Sequence, residues 1–492
     1  MFEKITPEAA GIRAADVGGF LRFLEKNGLV MHNLLLLRGE RVFGDFSWRP
    51  FSSADTHRMY SQTKSFVGIA IGLLAGEGKL SLDDPVVKFF PDRVEADHPA
   101  ALDAQTVRQM LTMETCCLPP NWFRAGDPDR VHLYFRSRPK GYGAGLVWAY
   151  DSAGSQVLAA LAERLAGMPL LDYLKKKLFD RMGTFRTAEI LKTPNGDSWG
   201  DSALLCTPYD IASFGRLLMQ GGAWQGEQLI DAGYVREATS PLVDNDECGF
   251  DNCDAQGYGY QIWCLKNGFW FRGMGGQFTI CIPEKDLICV CTGDNQGYAG
   301  FAHVFLAGLN ECVVDRMADA PLAADPVADA ALADAAGALK LAVIAGKTDS
   351  PARAEIDGAR YECAENPMGI RAFSLRFSPD GSRGELHYEN AQGEKVLPFG
   401  MGENVFCRFP QLGYSDGVGG ARTTDGFTYR CAVSAAWRER AKFVLKAQII
   451  DRYFGNLFLV ISFTEGGAAL VLRKTAEDFL DEYAGSARAV RV

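Results

Sequence analysis

Strand-type patterning at both ends of a long helical stretch limits the folds open to this 492-residue chain. Residues 33–46 read as two apolar strands about a Gly39-Glu40 turn. From residue 61 to about 222 the pattern is helical, with segments at 106–113, 152–166 and 209–220. Strands return after Gly257, at 258–265, 269–272, 277–282 and 287–292. An amphipathic helix over 14–26 opens the chain, and a helix over 298–316 closes the unit. Strands from both ends meeting in one sheet, with a helical subdomain inserted, predict a mixed α/β (α+β) unit over residues 1–316.

Residues 317–352 are rich in Ala and Asp, with Pro321, Pro326 and Pro351, which reads as a linker carrying a short helix near 328–345. The pattern changes again over 353–492. Short β-type runs at 371–377, 385–390, 441–451, 456–463 and 468–473 alternate with turn residues, as in an antiparallel barrel or sandwich. A last helix is expected over 476–483.

A formal charge of −10 argues against a nucleic-acid partner and leaves no basic stripe for a membrane surface. No apolar run is long enough to span a bilayer. The first ten residues carry acids and no apolar core, which predicts no export signal and a cytoplasmic location. The 13 cysteines are odd in number and include no Cys-x-x-Cys pair, so reduced thiols are expected. The six histidines stand at no metal-ligand spacing, so neither a metal nor a cofactor is expected.

The chemistry starts at Ser61-Gln-Thr-Lys64, ahead of an almost wholly apolar run from Phe66 to Leu74. Positions i and i+3 share a helix face, so the hydroxyl and the amine can meet. A serine becomes a nucleophile when a neighbouring base takes its proton, and free N–H groups at a helix start favour developing negative charge. The structural alternative makes Ser61 a helix cap and Lys64 a solvated first-turn lysine. The spacing alone decides nothing. Ser137-Arg-Pro-Lys140 has it too, where Pro139 and the following glycines preclude a buried helix. Two further segments have chemical potential. Trp148-Ala-Tyr150-Asp-Ser152 precedes an apolar helix, and a tyrosine beside a lysine can serve as general base. Arg272-Gly273-Met274-Gly275-Gly276-Gln277 opens a strand where backbone N–H groups can hold an oxyanion.

In this order the segments resemble the serine β-lactamase and penicillin-binding-protein superfamily, in its class C and esterase-like branch. Gly76-Glu-Gly-Lys-Leu-Ser-Leu-Asp-Asp-Pro85 and the stretch 200–215 extend the likeness over about residues 1–316. The Gly-Gly-Gln-Phe-x4-Pro-Glu tail is most similar to 6-aminohexanoate-dimer hydrolases and related carboxylesterases. The resemblance implies a β-lactamase-like fold, an antiparallel sheet flanked by helices with a helical subdomain. It implies acylation of Ser61, activation by Lys64 and Tyr150, and an oxyanion hole from the N–H groups of Ser61 and Gly276. Ser152, Gly273, Gly275 and Gln277 would line the substrate site. Tyr361, Asn366-Pro-Met-Gly-Ile370 and Phe479-Leu-Asp-Glu-Tyr483 resemble the small lipocalin-like barrels attached to some members.

Departures narrow the expectation. Ser152 stands where the family usually has Asn, Gly273-Met274-Gly275 lacks a cation or imidazole, and Cys116-Cys117 replaces a glycine. Arg272 is expected on the other face of its strand. An ester, amide or peptide of small size is therefore the expected substrate. A β-lactamase or D-Ala-D-Ala peptidase, and a non-catalytic binding protein on the same scaffold, are the alternatives. Gly196-Asp-Ser198-Trp-Gly200 matches a nucleophile elbow but lacks the flanking strand and helix, and reads as a loop. Trp122, Trp148 and Trp199 read equally as pocket lining or packing, and Asp83 and Asp84 as capping residues.

Overall fold

The computed structural model describes residues 2–121, 126–245, 255–410, 428–452, 454–475 and 483–492. They divide into two compact units, one running to Lys340 and one starting at Leu341.

The run Leu34-Leu35-Leu36-Leu37 shows how the first unit is layered. It lies in a strand, and successive side chains of a strand point to opposite faces. Leu35 and Leu37 enter one core and Leu34 and Leu36 the other, all fully buried. A strand buried on both sides has to sit mid-sheet between two helical layers. The sheet has eight strands: β1 (Glu3–Lys4), β2 (Met31–Arg38), β3 (Arg41–Ser47), β4 (Ala255–Tyr258), β5 (Trp263–Leu265), β6 (Gly268–Gly273), β7 (Gln277–Ile282) and β8 (Leu287–Gly293). Their order is β1-β3-β2-β8-β7-β6-β5-β4, antiparallel except for the β1–β3 pair. Strands from both ends of the unit thus join through β2–β8, with the helical region inserted, as the resemblance implies. Cys281, Cys289 and Cys291 act as small hydrophobes in these cores.

One layer contains α1 (Ala14–Lys26), whose Val17, Phe20, Leu21 and Leu24 recur at helical spacing and are buried. The other contains α2 (Thr63–Gly76), α3 (Val107–Leu111), α4 (Arg130–Phe135), α5 (Ser152–Ala166) and α6 (Pro208–Met219). Helix α2 is buried on nearly every side. A Cβ at Gly72 would stand 2.2 Å from the Tyr234 ring, so only hydrogen fits there.

Helix α7 (Phe301–Cys312) packs on α1, and so does α8 (Pro326–Ala338). The latter comes from the segment read as a linker; Leu332, with Ala328 and Ala336, gives it an apolar face. The predicted strand over 258–265 is two strands, β4 and β5. The chain reverses at Gly259–Gln261, where Gln261 has φ +60° and a Cβ at Gly259 would strike the Ala238 carbonyl. No helix among the described residues is long and apolar enough to cross a membrane.

In the second unit the strands of 360–408 and 430–491 form one antiparallel sheet. It closes where Gly393–Met401 pairs in parallel with Arg430–Glu439, giving a nine-stranded barrel. Leu386, Leu445, Leu459, Leu470 and Leu472 fill its interior, where the Tyr388 and Tyr483 hydroxyls meet at 2.9 Å. Asn366 organises its turn by donating to the carbonyls of Ala364 and Ile370. The helix expected over 476–483 falls, but for Tyr483, outside the described residues, and the last described element is the strand Gly485–Arg491.

Candidate active site

Ser61 sits in a 3-10 turn, Tyr60–Gln62, that leads directly into α2. It does not cap the helix: the position before Thr63 is Gln62, with no side-chain cap. Tyr60 takes φ +47°, a left-handed conformation that a tyrosine adopts only when its surroundings impose it. Those surroundings are hydrogen bonds on two sides. Met59 N–H donates to the Leu204 carbonyl, and the Thr63 hydroxyl donates to the Tyr60 carbonyl while accepting from Leu204 N–H. On the sheet side the Thr279 hydroxyl donates to Gln62 Oε1 at 2.7 Å.

Lys64 is buried on the first turn of α2, and its Nζ lies 2.9 Å from Ser61 Oγ. Ser61 itself is half-buried. The same Nζ donates to the Asp201 carbonyl at 2.7 Å and stands 3.8 Å from the Asp201 carboxylate. The solvated-lysine reading of Lys64 is thereby excluded.

Tyr150 is half-buried, with its ring centroid 5.1 Å from Lys64 Nζ. The loop carrying it is fastened on both sides. Ala149 N–H donates to the Met113 carbonyl, and Asp151 caps α5 by accepting from Gly154 N–H and the Thr115 hydroxyl, each at 2.8 Å. Burial pushes the Asp151 carboxyl upward, against the pull of these donors and of Lys140. The Tyr150 ring stacks on Trp263 at 5.7 Å, beside buried Trp148. Ser152 is half-buried at the first position of α5.

The glycine segment forms the β6–β7 hairpin turn. A Cβ at Gly273 would stand 2.3 Å from the Met59 carbonyl oxygen, so the strand end presses directly on the turn that holds Ser61. Gly275 and Gly276 take φ of +79° and +103°. Gln277, expected as a substrate contact, is fully buried, and its amide is consumed within the hairpin. Nε2 donates to the Met274 and Gly293 carbonyls, and Oε1 accepts from Gly293 N–H. Its side chain shapes the glycine turn. Arg272 lies on the face opposite Phe271, with its guanidinium over Trp263 and Trp270.

Ser198 of the Gly-x-Ser-x-Gly segment is buried in a loop. Its hydroxyl donates to Glu163 at 2.6 Å and accepts from Lys192 at 3.0 Å. It stiffens the loop and offers no exposed nucleophile. Trp199 is buried; Trp122 lies outside the described residues. Asp83 and Asp84 pair with Arg108 and Lys88. Three residues around Lys64 had no local signal in the sequence: Asp201, Arg58 and Arg130, all buried. A buried arginine cannot be told from the usual exposed one without its partners.

This arrangement, a sheet joined from both ends of a unit with a serine and a buried lysine at the start of a helix packed against it, is the scaffold of the Beta-lactamase class. The Beta-lactamase family pattern matches residues 33–294, more than half of the chain, and the protein belongs to that family. Among curated relatives, it is 27% identical over 277 residues to the 6-aminohexanoate-dimer hydrolase of Paenarthrobacter ureafaciens, spanning 52% of this chain and 70% of that one. Two solved structures share the fold. A Bacillus anthracis protein assigned to the 6-aminohexanoate-dimer hydrolases has a TM-score of 0.53 at 16% identity, covering 63% of this chain and 86% of its own. A Bacteroides dorei protein assigned to the β-lactamases has 0.52 at 17%, covering 62% and 99%.

Proposed function

We propose that the protein is a cytoplasmic serine hydrolase that cleaves small or peptide-like esters or amides through an acyl-enzyme on Ser61, without a cofactor. The contact of buried Lys64 Nζ with half-buried Ser61 Oγ at 2.9 Å carries this reading. Ser61 Oγ attacks the carbonyl carbon while its proton passes to the Lys64–Tyr150 pair. The N–H groups of Ser61 and Gly276 hold the resulting oxyanion, with Ser152, Gly273 and Gly275 bordering the substrate. Collapse breaks the C–O or C–N bond, and the pair returns the proton to the leaving group. Water then attacks the acyl carbon, giving its proton to the pair, and the proton goes back to Ser61 as the acid departs.

The relative named for the 6-aminohexanoate dimer, two amino acids joined by an amide, supports an amide or ester over a strained lactam. The glycine at 273, where many members have a cation, supports the same preference. The buried free thiols at Cys116, Cys117, Cys206, Cys281, Cys289 and Cys291 suit a reducing compartment. Hydrolysis of short 4-nitrophenyl esters and anilides tests the proposal. Turnover by the parent chain and background rates with Ser61→Ala are expected; equal rates for both would refute it.

A further inference from the structure

Behind Lys64 lies a charged cluster that the steps above do not use. The Lys64 amine is held on two sides: by Ser61 Oγ at 2.9 Å, and by Asp201 through its carbonyl at 2.7 Å and its carboxylate at 3.8 Å. Asp201 is in turn set among cations. Arg58, three residues before Ser61, and Arg130, at the start of α4, both act on its charge and both are buried. Trp199, two residues before Asp201, organises them. The Arg58 and Arg130 guanidinium carbons stand 4.7 and 4.4 Å from its ring. Arg58 also lies 4.5 Å from the Tyr60 ring and donates to the Ser202 carbonyl at 3.1 Å. Guanidinium groups suit such a place, because they stack on aromatic faces and stay charged when buried.

A lone buried carboxylate beside Lys64 would be costly to keep ionised. Burial does push Asp201 upward, opposed by Lys64, Arg130 and Arg58.

We propose that Asp201 is a positioning residue for the nucleophile: its carbonyl and carboxylate fix Lys64 Nζ against Ser61 Oγ. This rests on the serine-hydrolase reading.

The test is the rate of covalent labelling by a fluorophosphonate, resolved into a limiting rate and a half-saturating concentration, with thermal unfolding in parallel. The parent chain must label at Ser61; if it does not, the hydrolase reading itself fails. Given parent labelling, Asp201→Asn keeps the carbonyl and removes the charge. It should lower the limiting rate about 100-fold, as a misplaced catalytic group does, with the half-saturating concentration unchanged within about threefold. Should Asp201→Asn not fold, Asp201→Asn/Arg130→Met removes both buried charges and should fold and label slowly. A folded variant lacking the Asp201 carboxylate that labels at the parent rate overturns the proposal while leaving Ser61 as nucleophile.

Discussion

His32 Nδ1 and His57 Nε2 are 2.8 Å apart in the interior of the first unit. His57 Nδ1 faces the Arg58 carbonyl at 3.0 Å. A carbonyl only accepts, so His57 donates there, and its Nε2 must accept from His32 Nδ1–H. Phe51 stacks on His32 at 3.7 Å. Burial lowers the His57 pKa to about 4, against the pull of the Arg58 carbonyl.

This pair predicts acid lability. The folded pKa of His57 lies below its ordinary value of 6.5, so the unfolded chain binds the proton first. The stabilisation is whole above pH 6.5 and is lost as the pH falls toward 4, by on the order of 3 kcal/mol. Thermal unfolding between pH 7.5 and 4 should show the loss, and His57→Gln should flatten it. An unchanged slope in that variant would assign the acid sensitivity elsewhere.

Tyr150 stands against Lys64 with its ring stacked on Trp263. Tyr150→Phe keeps the stack and removes the hydroxyl. Acylation should slow by about two to four orders of magnitude, the range for loss of a general base. Stopped-flow labelling at a near-parent rate would leave Lys64 as sole base.

Short esters and amides should exceed penicillins and D-Ala-D-Ala peptides in kcat/KM, because Gly273 supplies no cation for their carboxylate. Competition assays on one enzyme preparation give the order directly, and the reverse order would remove the argument.

Gly273→Ala places a methyl 2.3 Å from the Met59 carbonyl, a backbone atom that cannot swing away. The Ser61 turn must shift, at a cost of roughly 1–3 kcal/mol in stability. The melting temperature and the labelling rate should fall together; loss of stability with full labelling would separate Gly273 from the site.

The layered sheet was legible because strand and helix periodicities differ and the 34–37 leucine run admits few placements. The meeting of Ser61, Lys64 and Tyr150 was legible through spacing and motif order. The rest depended on contacts between residues distant in sequence. Gln277 stands in a glycine-rich motif, but only the fold shows its amide taken up by Met274 and Gly293. Asp201 and Lys64 are 137 positions apart, and no local pattern marks Arg58 or Arg130 as buried. The reversal at Gly259–Gln261 was hidden because Gln261 is held by tertiary partners, Ser155 and the Met110 and Leu111 carbonyls.

Intact-mass measurement after treatment with a fluorophosphonate tests the central claim most directly. One adduct on the parent chain, mapped to Ser61 and absent from Ser61→Ala, is the predicted result. No adduct on the parent, or an equal adduct on Ser61→Ala, would contradict it and favour a binding protein on a hydrolase scaffold.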